Sequence, residues 1–161
     1  MNKFSQFLFA MLLFVALAPV SFAENTNKGY EAFQSGDYAK AHKLWVIEAE
    51  QGDEFVQCNL GVMYEKGLGV PQDYKEAAKW FLKAAEQGNV NAQTNLGVMY
   101  FEGKGVLQSY EDSYAWLVIA AASGNEVAIK NFEIAQMNMS PEQIKRGQQI
   151  ANEIWSRMKN K

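Results

Sequence analysis

Two stretches of the chain are near copies of one another: NLGVMYEKGLGVPQ at 59–72 and NLGVMYFEGKGVLQ at 95–108. They start 36 residues apart, and the same interval joins Tyr38, Tyr74 and Tyr110, and again Gly52, Gly88 and Gly124. A fixed period of this length outranks local propensity as a fold signal. Each period is one supersecondary unit that cannot bury its apolar face alone, so neighbours must stack to hide it.

Each period reads as two helices. The first, Asp73 to Gln87, places Ala77, Ala78, Phe81, Leu82 and Ala85 at the i, i+3/i+4 spacing of a single buried face. Gly88 ends it, since helices commonly stop at a residue that can turn left-handed. The second starts near Asn89, buries Ala92, Leu96, Met99 and Tyr100, and stops at Gly103 and Gly105. Ala84, Ala85, Gly97 and Ala120 to Ala122 are small enough for neighbouring helices to approach closely. A glycine inside a helix costs about 1 kcal/mol relative to alanine. Gly61 and Gly97, kept at one phase of the repeat, therefore predict a bulky Tyr or Trp of the next helix packed over bare backbone.

The ends depart from the period. Residues 25–35 form a degenerate first helix before Gly36-Asp37-Tyr38. In the last period Phe132-Glu133 stands where Leu-Gly stood. Ser140-Pro141-Glu142-Gln143 then has the form of a capping box with proline in the first turn. The helix it opens, about 141–158, is expected to bury Ile144, Ile150, Ile154 and Met158 and to cover the last apolar face, as the end of a stacked array requires. The expected fold is all-α: a short right-handed α/α solenoid over 24–139 and a C-terminal capping helix over 140–161. Trp45, Trp80, Trp116 and Trp155 recur at core phase and are assigned to packing, the alternative being a stripe that stacks a ligand.

Lys3, an apolar run from Phe7 to Ala18, Pro19 and Ser21-Phe22-Ala23 make up a secretory signal peptide over 1–23 with cleavage after Ala23. A membrane span needs about 20 apolar residues, and polar Glu24-Asn25-Thr26-Asn27 follows at once. No cysteine follows the run closely, so no lipid anchor is expected. The implied location is the periplasm or outside the cell, with no membrane insertion after cleavage. Losing Lys3 moves the net charge from −3 to −4. That balance, with a pI near 5.2, argues against nucleic acid, whose binding needs clustered Lys and Arg. The single Cys58 leaves no internal disulfide. It is a reactive thiol, an intermolecular bridge, or, as is commoner on an apolar helix, a small buried hydrophobe.

The repeated residues resemble the Sel-one-like repeat, a branch of the tetratricopeptide superfamily. The motif is carried by Leu60, Gly61, Met63, Tyr64, Gly67, Gly69, Val70, Asp73, Ala77, Trp80, Ala84, Ala85 and Gly88. It is carried again by Ala92, Leu96, Gly97, Met99, Tyr100, Gly103, Gly105, Val106, Ala115, Trp116, Ala120, Ala121 and Gly124. The resemblance covers roughly 30–137. It implies a right-handed superhelix used as an adaptor between proteins. It also implies that the first helix of each hairpin (27–35, 53–66, 89–102 and 125–137) lines the concave face. With Leu-Gly as the core phase, the groove would hold Phe55, Cys58, Val62 and Glu65 on one helix and Asn91, Thr94, Val98 and Phe101 on the next. Tyr30 holds the earlier place. The alternative is that these positions pack internally in so small a solenoid. Some tetratricopeptide domains grip a C-terminal carboxylate through an Asn just after the glycine; Val62, Val98 and Tyr30 stand there, so that clamp is not expected.

No constellation carries catalysis. His42 is the sole histidine and reads as a surface residue. No Cys/His cluster has zinc spacing, and no phosphate loop, nucleophile elbow or S-x-x-K element is present. Gly67-Leu68-Gly69 returns as Gly103-Lys104-Gly105 and is therefore a hairpin connection. The expected function is a monomeric, non-enzymatic scaffold of the envelope or cell exterior that binds a protein partner and carries no cofactor or metal. A narrower version is an immunity protein that neutralises a delivered toxin. The rival from another class is weak β-lactam hydrolysis, implied by a cysteine-rich subgroup whose paired cysteines this chain lacks.

Overall fold

Residues 27–160 are described by a computed structural model, and among them every regular element is a helix. In chain order these are α1 (27–34), α2 (Tyr38–Glu50), α3 (Glu54–Lys66), α4 (Tyr74–Ala85), α5 (Val90–Glu102), α6 (Tyr110–Ala121), α7 (Glu126–Met137) and α8 (Pro141–Lys159). The leader expected over 1–23 lies outside the described residues.

Short polar side chains set the helix starts. Asp53 Oδ1 accepts from the amides of Phe55 and Val56 at 3.0 and 2.9 Å, and Asn89 Oδ1 accepts from Ala92 N at 3.0 Å. Asp37, Asp73, Ser109 and Asn125 cap in the same way. Each such cap is worth about 1 kcal/mol. The capping box at α8 is complete: Ser140 Oγ accepts from Gln143 N at 3.3 Å while Ser140 N donates to Gln143 Oε1 at 3.0 Å. At the other ends, α3 and α5 stop at Gly67 and Gly103, with φ of 68° and 69°. Helix α4 stops at Ala85, two residues before the expected Gln87, and Gly88 carries the turn that follows.

The seven-residue connections of the two full repeats are pinned alike. Gln72 Nε2 donates to Glu65 O at 2.7 Å and Gln108 Nε2 to Phe101 O at 2.8 Å. Gly69 and Gly105 lie so close on the Tyr38 and Tyr74 carbonyls of the preceding hairpin that a Cβ would overlap backbone. Gln57 and Gln93 tie each first helix to the one before it, donating to Ala49 O at 2.8 Å and Ala85 O at 3.1 Å.

The mid-helix glycines do what their phase predicts, with different partners. A Cβ on Gly61 would stand 2.6 Å from the Phe81 ring, and one on Gly97 would stand 2.6 Å from Leu117. Neither partner is a Tyr or Trp; only Gly29 of α1 lies under an indole, that of Trp45. The core runs along the array in two overlapping groups. One joins Trp45, Val56, Leu60, Met63 and Trp80; the other joins Phe81, Leu96, Met99, Trp116 and Ile154.

Six burial expectations fail at the edges of this core. Leu82 is exposed and Tyr100 is only half-buried. Trp155 is 45% exposed, with the Lys159 ammonium 5.3 Å above its ring, so it is not a core residue. The buried line of α8 is Gly147, Ala151 and Ile154, with Ile144, Ile150 and Met158 half-buried.

That line shows where α8 lies. It runs along α6 and makes scarcely any contact with α7. Gly147 sits against the Tyr114 ring, and the Tyr114 hydroxyl donates to Gln148 Oε1 at 3.3 Å. Further on, Ala151 and Trp155 lie beside Val118 and Ala122, so the two helices run parallel. The last turns of α8 (Ile154, Arg157 and Met158) reach Glu86 at the end of α4.

Candidate functional site

Gly29 packs on Trp45 as Gly61 packs on Phe81 and Gly97 on Leu117, which fixes the register of α1 against α3 and α5. Four first helices, α1, α3, α5 and α7, can then be compared position by position. Tyr30, Val62, Val98 and Ile134 occupy one equivalent place and form an apolar row across the array. Tyr30 and Ile134 are exposed; Val62 and Val98 are half-buried.

The expected groove residues divide by burial. Phe55 is 63% exposed, Asn91 is exposed, and Glu65 and Phe101 are half-buried, so a partner can reach all four. Cys58 and Thr94 are buried and do not line the face. Their shared position points at the following first helix: Cys58 is grouped with Ala92 and Leu96 of α5. Thr94 Oγ1 turns back to donate to Val90 O at 2.8 Å. Burial pushes the Cys58 thiol up to about 11, which leaves almost no thiolate near neutrality and no nucleophile.

A second row escaped the sequence reading. Asn27, Asn59, Asn95 and Asn131 stand at one equivalent position, three residues before the apolar row. Asn27 is exposed and the other three are half-buried. Asn59 Nδ2 donates to the Tyr30 hydroxyl at 3.0 Å, linking α3 to α1. Asn95 and Asn131 make no side-chain hydrogen bond among the described residues. The signal was present: both quoted repeats open on this asparagine, and the third keeps it 36 residues later after losing Leu-Gly. Also missed were Val127 and Met137 of α7, 62% and 83% exposed, at the places of Phe55 and Glu65.

At the edge of the face Glu102 Oε2 accepts an ion pair from Lys104 Nζ at 2.8 Å, and both side chains are largely exposed. His42 lies on α2, outside this face, with Nε2 3.0 Å from the Tyr64 hydroxyl; burial lowers its pKa. Among the described residues no group of three or more His, Cys, Asp or Glu could hold a metal ion, and no helix is long and apolar enough to cross a membrane. The face therefore offers a partner amide hydrogen bonds and apolar contact.

Residues 55–89 and 90–125 match the family model described as Sel1 repeat. The chain carries two Sel1 repeats. Among solved structures it is similar to c5321, a protective antigen present in uropathogenic Escherichia coli strains that displays an SLR fold. The TM-score is 0.77 at 29% identity, over 86% of this chain and 32% of that one. It is also similar to a Sel1 repeat protein from Oxalobacter formigenes, with a TM-score of 0.66 at 27% identity, over 80% of this chain and 55% of that one. The chain thus spans about a third of the first relative and about half of the second. A comparison with curated proteins finds no match. The all-helical solenoid agrees with these neighbours, one displaying an SLR fold and the other a Sel1 repeat protein.

Proposed function

We propose that this chain is an exported adaptor that holds an extended polypeptide across its first helices. The observation that carries this reading is the pair of parallel rows, one amide and one apolar side chain from each of α1, α3, α5 and α7. An amide side chain offers both a donor and an acceptor, which is what the main chain of an extended segment needs along its length. Packed helices stand about 8–10 Å apart, and an extended chain in the polyproline II form advances about 3.1 Å per residue with three residues per turn, so that every third side chain points the same way. Roughly every third residue of the partner therefore meets the next helix and sets its side chain on Tyr30, Val62, Val98 or Ile134. Main-chain hydrogen bonds supply affinity and the apolar contacts supply selectivity, the division of labour usual in peptide recognition. The signal-peptide pattern at the N-terminus supports an envelope or extracellular setting.

A photo-crosslinking amino acid placed at Val98, or at the outward-facing Leu82 as control, tests this in cells that export the chain. The expected result is a discrete partner captured from Val98 and not from Leu82, lost on Asn95→Ala with Asn131→Ala. Capture from Leu82 alone, or capture indifferent to both asparagines, removes this face as the binding site.

A further inference from the structure

In hairpins α3–α4 and α5–α6 one strip of the first helix (Gln57, Gly61 and Tyr64 on α3, and Gln93, Gly97 and Tyr100 on α5) lies between the second helix, which packs on the glycine, and the preceding helix, to which the glutamine donates. The glutamines and glycines of that strip are buried and the tyrosines half-buried. The equivalent strip of α7 is Ile129, Glu133 and Gln136, and all three are exposed, because α8 lies along α6 instead. Beside it is Lys130, at the place where Cys58 and Thr94 are buried, exposed here. Of the ten exposed large apolar side chains among the described residues, four (Val127, Ile129, Ile134 and Met137) belong to this one helix. A face left bare by the loss of its helical cover is shaped for another helix.

We propose that a second copy of the chain supplies it, α7 of one protomer packing antiparallel on α7 of its partner. Charge selects this occupant. Lys130 and Glu133 lie on the bare side, and neither forms an ion pair among the described residues. A two-fold axis passing between residues 131 and 132 sets Lys130 of each protomer against Glu133 of the other, and Ile129 of each toward Ile134 of the other. One contact thus makes two ion pairs and two apolar pairs, the self-complementarity that an isologous interface requires. Such an interface closes on itself and ends at a dimer. This pairing differs from the monomer expected from sequence. The inference stands on α7; it shares Ile134 with the apolar row of the peptide reading, and the Val98→Glu variant below separates the two.

Sedimentation equilibrium of the processed chain over a wide concentration range is the test. The expected result is a reversible monomer–dimer equilibrium. Ile129→Glu should abolish it, and Lys130→Glu should weaken it by about tenfold or more through like-charge repulsion. Lys130→Glu combined with Glu133→Lys should restore it, and Val98→Glu should leave it unchanged. Ile129, Lys130 and Glu133 face solvent within one protomer, so their variants should keep the helical circular dichroism; Lys130→Gln replaces any that does not. A monomer at every concentration overturns the proposal, as does a dimer that ignores Ile129→Glu or one that the double charge exchange fails to restore.

Discussion

Helices α5 and α7 are near equals in length and stand at the same place in successive repeats, yet only α5 closes a hairpin with the helix that follows it. Two local differences decide this. Helix α5 carries Gly97, and Leu117 of α6 fills the space a side chain would take; α7 carries Glu133 at that place. The link after α5 spans seven residues and is pinned by Gln108, whereas the link after α7 spans three. The close contact reappears one helix over, where Gly147 of α8 admits the Tyr114 ring of α6. The repeat is thus less a string of residues than a rule for where bare backbone meets a bulky side chain. Moving the glycine moves the partner.

The largest effect should come from removing the irregular end. A chain lacking 140–161 uncovers the α8 side of α6, including Tyr114 and Ile119, and should show no cooperative thermal transition by circular dichroism. A normal melt would mean that α7 alone caps the array. Gly105→Val comes next. It forces a branched side chain into a positive φ of 71° and onto the Tyr74 carbonyl, and should cost about 3–5 kcal/mol in urea unfolding. Gly97→Ala then separates the two regions directly. Overpacking against Leu117 costs about 1–3 kcal/mol and helix propensity returns about 1, a net loss of up to about 2. Glu133→Ala on the bare strip of α7 should change stability by less than about 0.5 kcal/mol. Equal effects would undo the explanation offered for the open hairpin.

Smaller again is the contrast at the position shared by Cys58 and Lys130. Burial should make the Cys58 thiol unreactive to a maleimide at neutral pH until denaturant is added. The smallest effect concerns His42. Burial lowers its pKa in the folded chain, so the unfolded chain takes up the proton first as pH falls below about 6.5. The stability it supports is present above that pH and is lost as pH falls toward the lower folded value. His42→Gln should flatten the dependence of the melting temperature between about pH 5 and pH 7.

The array was legible because Leu-Gly, Tyr and the loop glycines are read by covalent geometry and local packing, which sequence spacing preserves. The course of α8 was not. Its apolar residues fit a stripe about 3.6 residues apart on more than one face, and only the three-dimensional position of Tyr114 selects Gly147, Ala151 and Ile154. The face of the first helices was half legible. Phe55, Val62 and Val98 follow from phase alone. Cys58 and Thr94 required knowing how closely the next helix approaches, and the asparagine row was hidden by its place inside a motif already explained as structural.

Because α8 touches both α6 and the end of α4, it straddles two repeats like a strap across adjoining links. A linear stack can ordinarily fray one unit at a time from its tip. Here the tip cannot open without loosening the unit behind it, so hydrogen exchange in α4 and α6 should quicken together when α8 lets go, and the C-terminal half should behave as a single cooperative block.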